Sequence, residues 1–129
     1  MKQQLFALII ILVALFGTLF LVYTATQNSS SVTPLTTLKK DAFIYFYGNT
    51  CPHCKELNIW LEENQIAKKV KFDKKEVYQN KANADQLQQA AKICGLDTSS
   101  IGVPFVYDNG KCYVGSDEAK DLFKKKSKS

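Results

Sequence analysis

Cys51-Pro52-His53-Cys54 follows an apolar, aromatic run at 42–47 and opens a segment with helical spacing at 55–64. A buried strand that delivers two cysteines, two residues apart, to the start of a helix has the layout of a dithiol/disulfide redox site. The helix start supplies free backbone N–H groups and the positive end of a dipole. Cys51 is therefore expected to ionise more readily than a free cysteine and to act as the nucleophile. Cys54, one turn further on, is placed to attack a mixed disulfide formed at Cys51. Pro52 suits a first helical turn, where its missing N–H is not needed. His53, the chain's single histidine, adds positive charge beside the thiolate when protonated. That would stabilise the reduced form and make the disulfide more oxidising.

Other readings of the cysteines stand beside this one. A structural zinc site would take Cys51, Cys54, Cys94 and Cys112 as four thiolates. Zinc ribbons, however, pair two CxxC knuckles, and Cys94 and Cys112 are not spaced that way, so no metal is expected. A purely structural bridge between Cys51 and Cys54 would close too short a loop to gain much. No bound cofactor is called for.

At 129 residues the chain has room for one folded domain. Its net charge is +5, and every basic residue is lysine. The lysines are scattered and the 124–129 tail reads as a frayed end. Nucleic-acid binding, which favours arginine interleaved with aromatics, is not expected. Residues 5–23 carry no charge, and at about 1.5 Å per residue they approach the thickness of a bilayer core. The sequence therefore predicts a signal anchor or transmembrane helix over 1–25, in contact with the membrane through 5–23. The short N-terminal flank bearing Lys2 puts the N-terminus in the cytoplasm and the domain outside it, a single-pass arrangement. An oxidising compartment suits disulfide chemistry. Residues 26–38, rich in Ser and Thr, read as a flexible linker, and the folded domain spans 39–126.

Within the domain, 42–47 reads as a central strand, 55–64 as a helix, and Val70-Lys71-Phe72-Asp73 as a second strand by its alternation. Residues 84–94 form a helix closed by Gly95. Residues 103–107 and 111–114 form a hairpin turning at Asn109-Gly110. Residues 116–125 close the chain as a helix with Ser116 as N-cap. The order β-α-β-α-β-β-α describes an α/β domain on a central mixed four-stranded sheet, preceded by the N-terminal helix.

From about residue 41 to 125 this pattern resembles the thioredoxin-like superfamily. The resemblance rests on the CxxC between strand and helix and on Val103-Pro104, about fifty residues further on. Cys51-Pro52-His53-Cys54 looks like the variant found in the oxidising, disulfide-donating branch. Gly102-Val103-Pro104 and Gly115-Ser116-Asp117-Glu118 are similar to the glutaredoxin branch, and Thr50 stands where thioredoxins carry tryptophan. The resemblance implies that Cys51 attacks, Cys54 resolves, Pro104 is cis, and Val103 offers its backbone to an extended substrate peptide beside Thr50. It also exposes a departure: many members carry a buried acid six residues before the nucleophile, and here that position is Tyr45.

Cys94 and Cys112 are expected to form a structural disulfide, with a pair of buried free thiols as the alternative. The leading functional expectation is a membrane-tethered thiol–disulfide oxidoreductase outside the cytoplasm. It would act on cysteine-containing proteins, be recycled by a redox partner, and favour oxidation. The alternatives are a glutathione-linked, glutaredoxin-like reductase and a non-catalytic peptide-binding module whose CxxC is structural or holds zinc.

Overall fold

The computed structural model describes residues 1–27 and 37–129. The chain divides into two compact units, Met1–Pro34 and Leu35–Ser129. Most of the expected linker, residues 28–36, lies outside the described residues.

The first unit contains one helix, α1 (Lys2–Gln27). Among the described residues, no helix is long and apolar enough to cross a membrane. This corrects the expected transmembrane helix or signal anchor over 1–25. It also corrects the membrane contact through 5–23 and the single-pass localisation built on it. A span needs about 20 consecutive apolar residues. Gly17 and Thr18 interrupt the large apolar side chains of α1. The Thr18 hydroxyl donates back to the Leu15 carbonyl at 3.0 Å.

The second unit follows the order β1 (Phe43–Tyr47), α2 (Pro52–Glu63), α3 (Ile66–Lys69), β2 (Asp73–Glu76), α4 (Lys81–Ile93), β3 (Phe105–Asp108), β4 (Lys111–Val114) and α5 (Ser116–Lys126). The four strands make one mixed sheet in the order β2-β1-β3-β4. β1 runs parallel to β2 and antiparallel to β3, and β3 pairs antiparallel with β4.

β1 is apolar throughout because both faces of the sheet are covered. Its side chains alternate across the sheet, as the two-residue period of a strand requires. Tyr45 joins one core with Leu57 and Leu61 of α2 and Leu122 and Phe123 of α5, and Phe43 and Tyr47 pack against it. Ile44 and Phe46 face the other core, with Leu87, Ala90 and Ala91 of α4. At the hairpin, Asn109 (φ 49°) and Gly110 (φ 85°) both take positive φ, the conformation that joins two twisted strands with a two-residue turn.

Three local expectations shift. The second strand begins at Asp73 rather than Val70, because the parallel register pairs Ile44 with Asp73. Val70 is instead the buried C-cap residue of α3, and Phe72 packs on the core just before the strand. Their apolar spacing marks an anchored approach to a charged edge strand, a composition that edges tolerate well. The N-cap of α5 is Gly115 rather than Ser116. The Glu118 carboxylate accepts from Val114 N–H, one residue before the cap, at 2.8 Å. The lysine tail is helical to Lys126, whose ammonium pairs with Asp108 at 2.9 Å and lies 4.7 Å from the centre of the Phe43 ring.

Candidate active site

The sheet brings the two ends of the site together. β1 leads into the turn before α2, and β3, its antiparallel neighbour, begins just after Val103-Pro104. Cys51 is the N-cap of α2, with extended backbone (φ −78°, ψ 116°), and Pro52 opens the helix. The Cys51 sulfur does the capping: it accepts the Cys54 backbone N–H at 3.1 Å. On its other side the thiol donates to the Val103 carbonyl at 3.4 Å. The Val103–Pro104 peptide is cis, and Pro104 is fully buried. Cys51, Cys54, Val103 and Pro104 therefore form one cluster built from sequence segments about fifty residues apart.

Both cysteines of the pair are reduced. Cys51 is 6 % exposed and Cys54 is completely buried. Burial, reinforced by the hydrogen bond and charge of Cys51, pushes the Cys54 thiol up to about 12 from an ordinary 9.0. At neutral pH it is a thiol that must lose its proton before it can attack.

Tyr45 lies against Cys54. Its hydroxyl donates to the Cys54 carbonyl at 3.3 Å, deep in the core, and its nearness works to lower the Cys54 thiol against the larger effect of burial. Burial, with the charges of Cys54 and Cys51 behind it, drives the Tyr45 phenol well above its ordinary range. Tyr45 therefore stays protonated and acts as a donor, and it cannot serve as a base.

His53 points outward. Its Nδ1 stands 3.9 Å from the Glu56 carboxylate, and both side chains are mostly exposed. Its backbone carbonyl accepts the Ser116 hydroxyl at 3.2 Å, which ties the start of α5 to the CxxC turn. Thr50 is an exposed turn residue and Val103 is half-buried.

Sequence reasoning missed Tyr78. It lies on the loop after β2, 56 % exposed, with its ring packed against Gly48, whose carbonyl accepts the Cys51 N–H. No hydrophobic period marks such a residue, because a carboxylate and a glycine place it rather than burial. Glu76 accepts from the N–H groups of Tyr78 (2.8 Å), Gln79 (2.9 Å) and Asn49 (3.4 Å). Desolvation works to raise the Glu76 carboxyl, but these N–H donors outweigh it and hold the group below its ordinary range.

Cys94, the C-cap of α4, is bridged to Cys112 of β4, with S–S 2.01 Å and Cα–Cα 6.1 Å. Neither sulfur is then available as a thiolate, so the four-cysteine zinc arrangement is not formed. Among the described residues, no group of three or more His, Cys, Asp or Glu is placed to hold a metal ion.

No protein-family model matches the chain, and no curated protein matches it. What stands is a small mixed four-stranded sheet, flanked by helices, carrying the Cys51–Cys54 pair at the start of one of them.

Proposed function

We propose that the domain is a thioredoxin-like thiol–disulfide oxidoreductase that exchanges disulfides with cysteine-containing proteins through Cys51 and Cys54. The observation that carries this reading is the Cys51 sulfur as the N-cap of α2, in line with the Cys54 N–H and beside the cis Val103–Pro104 peptide. A thiolate there gains the hydrogen bond and the dipole of the helix start.

In the reducing direction, the Cys51 thiolate attacks one sulfur of a substrate disulfide. A Cys51–substrate disulfide forms, and the other substrate sulfur leaves as a thiolate that takes up a proton. Cys54 then loses its proton and attacks Cys51. The Cys51–Cys54 disulfide forms and the second substrate thiol is released. In the oxidising direction the same steps run backwards: a substrate dithiol is oxidised and the pair is reduced. A disulfide-bearing redox partner must then reoxidise the pair. Oxidation is the favoured direction, on the ground of His53 between the two cysteines.

The test is a trap. With an oxidised, unfolded protein as substrate, Cys54→Ser should accumulate reductant-sensitive covalent adducts, and Cys51→Ser should not. The opposite pattern would reverse the two roles. Adducts from neither variant would overturn the reading.

A second reading, glutathione-linked reduction, draws support from the Ser116–His53 contact, which sets the N-terminus of α5 beside the CxxC turn. Rapid turnover of a glutathione mixed disulfide, with little activity on protein disulfides, would favour it.

A further inference from the structure

Cys51 is brought to its place by a four-residue turn. The Gly48 carbonyl accepts the Cys51 N–H at 3.2 Å, which closes a β-turn over residues 48–51 with the exposed Asn49 and Thr50 at its centre. That turn sets the sulfur against the Cys54 N–H at 3.1 Å. The turn's own bond uses only the Gly48 carbonyl and the Cys51 N–H, so the Asn49 N–H takes its acceptor from elsewhere.

The acceptor comes from the neighbouring strand. Tyr47 and Glu76 are the last partners in the parallel register of β1 and β2, and Val77 N–H donates to the Tyr47 carbonyl at 2.9 Å. The chain therefore leaves the two strands side by side. One oxygen of the Glu76 carboxylate accepts from Asn49 N–H at 3.4 Å and from Tyr78 N–H at 2.8 Å, and the other accepts from Gln79 N–H at 2.9 Å. The main chain of Glu76 is fixed from α4, where the Asn83 side-chain amide donates to the Glu76 carbonyl at 2.8 Å.

A second contact joins the same two loops. Gly48 is buried, and a Cβ built on it would fall among the Cδ2, Cε2 and Cζ atoms of the Tyr78 ring. Glu76 thus fastens the turn twice: directly through Asn49, and through Tyr78, whose ring covers Gly48.

Glu76 acts on Cys51 in two ways of opposite sign. Its negative charge opposes a thiolate across the turn. Its hydrogen bonds hold the turn that keeps the sulfur on the Cys54 N–H. A hydrogen bond weakens steeply with misalignment, and a bond to a charged acceptor is the stronger kind. A displaced turn therefore costs the thiolate more than the thiol.

We propose that Glu76 is a positioning residue of the site: its carboxylate ties the 48–51 turn to the loop after β2 and so keeps the Cys51 sulfur in register with the Cys54 N–H. The proposal rests on the oxidoreductase reading, in which Cys51 is the attacking sulfur, and it adds no chemical step.

The experiment is alkylation of the reduced, full-length protein with iodoacetamide across a pH series. Cys51 modification is followed by peptide mass, and folding by thermal melting. The other titratable and charged groups around the sulfur are Cys54, His53 and Glu56 on α2, Tyr45 and Tyr47 on β1, and Tyr78 after β2. All are retained in every variant. Glu76→Ala removes the charge and all three hydrogen bonds. Measured against its own rate at high pH, Cys51 alkylation at mildly acidic pH should slow by roughly three- to tenfold, the scale of one hydrogen bond. Glu76→Gln also removes the charge but keeps an oxygen for Asn49 and Tyr78, so it should stay within about twofold of the wild type, on the same scale.

Loss of charge alone would speed alkylation in both variants, and that result would overturn the proposal. So would wild-type rates in Glu76→Ala, equal slowing in the two variants, or slowing by the same factor at every pH, which would mean altered access rather than a displaced sulfur. If Glu76→Ala does not fold, Glu76→Asp takes its place: it keeps the charge and shortens the reach by one carbon. Slower alkylation at mildly acidic pH then supports the proposal, and wild-type rates overturn it. Alkylation needs no substrate protein, so failure of the Glu76 role is read separately from failure of the Cys54→Ser trap.

Discussion

The Cys51 thiol donates to the Val103 carbonyl across 3.4 Å, so the residue before the cis-proline already holds the sulfur that would meet a substrate. Under the proposed function, the Val103 N–H would pair with a substrate strand laid along this segment. Val103→Pro keeps the carbonyl and removes that donor. Adduct yield in a Cys54→Ser background should fall several-fold, while alkylation of Cys51 by a small reagent is retained. Equal loss of both would mean that the substitution had disturbed the sulfur itself.

The raised Cys54 thiol makes the reduced protein sensitive to alkali. Its folded-state value, about 12, lies above the ordinary 9.0, so the native state holds this proton more firmly than the unfolded chain does. The resulting stability is complete below about pH 9 and is lost as pH rises toward 12. Melting of the reduced wild type should therefore fall more steeply above pH 9 than melting of Cys54→Ser. In the same range, iodoacetamide should modify Cys54 only slowly, and after Cys51.

His53 should act on the potential rather than the fold. The imidazole is exposed and lies 3.9 Å from the Glu56 carboxylate, while its tie to Ser116 runs through the backbone carbonyl. In His53→Ala that tie remains. The disulfide should become less oxidising by roughly 10–30 mV, where about 30 mV corresponds to 1.4 kcal/mol. Equilibration with a glutathione redox buffer measures this. An unchanged potential would leave His53 without a redox role.

Tyr45→Phe should separate the two chemical steps. Attack by Cys51 does not involve the Tyr45 hydroxyl, whereas release by Cys54 loses a donor that favours its thiolate. The mixed disulfide with a small aromatic thiol should persist roughly five times longer, with its formation rate unchanged. Loss of the buried bond to the Cys54 carbonyl should also lower stability by about 1 kcal/mol.

Asp108 and Lys126 test how the last helix is held. Asp108 is 8 % exposed and pairs with Lys126 at 2.9 Å. Asp108→Ala should cost about 1–3 kcal/mol, between the values for surface and buried pairs. Lys126→Met should cost less, because its stem can still lie on Phe43. Urea unfolding of both single variants and the double variant gives the coupling.

Features governed by neighbouring residues were the ones legible in the sequence. Asn109-Gly110 announces a turn because both residues tolerate positive φ, and the 42–47 run announces a strand covered on both faces. Cys51 and Pro52 mark a helix start. Features set by distant chain segments were not legible. α3 begins after Gln65 at φ 52°, a left-handed position with no glycine to signal it. The start of β2 depends on its register with β1, and the Val70–Phe72 spacing imitates a strand one step early. Ser116 looks like a cap, yet Gly115 takes that position and Ser116 bonds to His53 instead. The apolar 5–23 segment carried a strong local signal, but no membrane-crossing helix stands among the described residues. Within the site, the two cysteines and Val103-Pro104 could be found by motif. Tyr78 could not, since only the meeting of two loops brings its ring onto Gly48.

The Cys94–Cys112 bridge joins the end of α4 to the edge strand β4, eighteen residues apart in sequence. A loop of that size restricts the unfolded chain by about 3 kcal/mol, a large part of the stability of a small domain. A newly made copy carries four thiols and must close this bond before its α4 layer is tied down. Until then it is itself a cysteine-containing protein awaiting oxidation. The fold is thus held by a bond of the same kind that the proposed function assigns to Cys51 and Cys54.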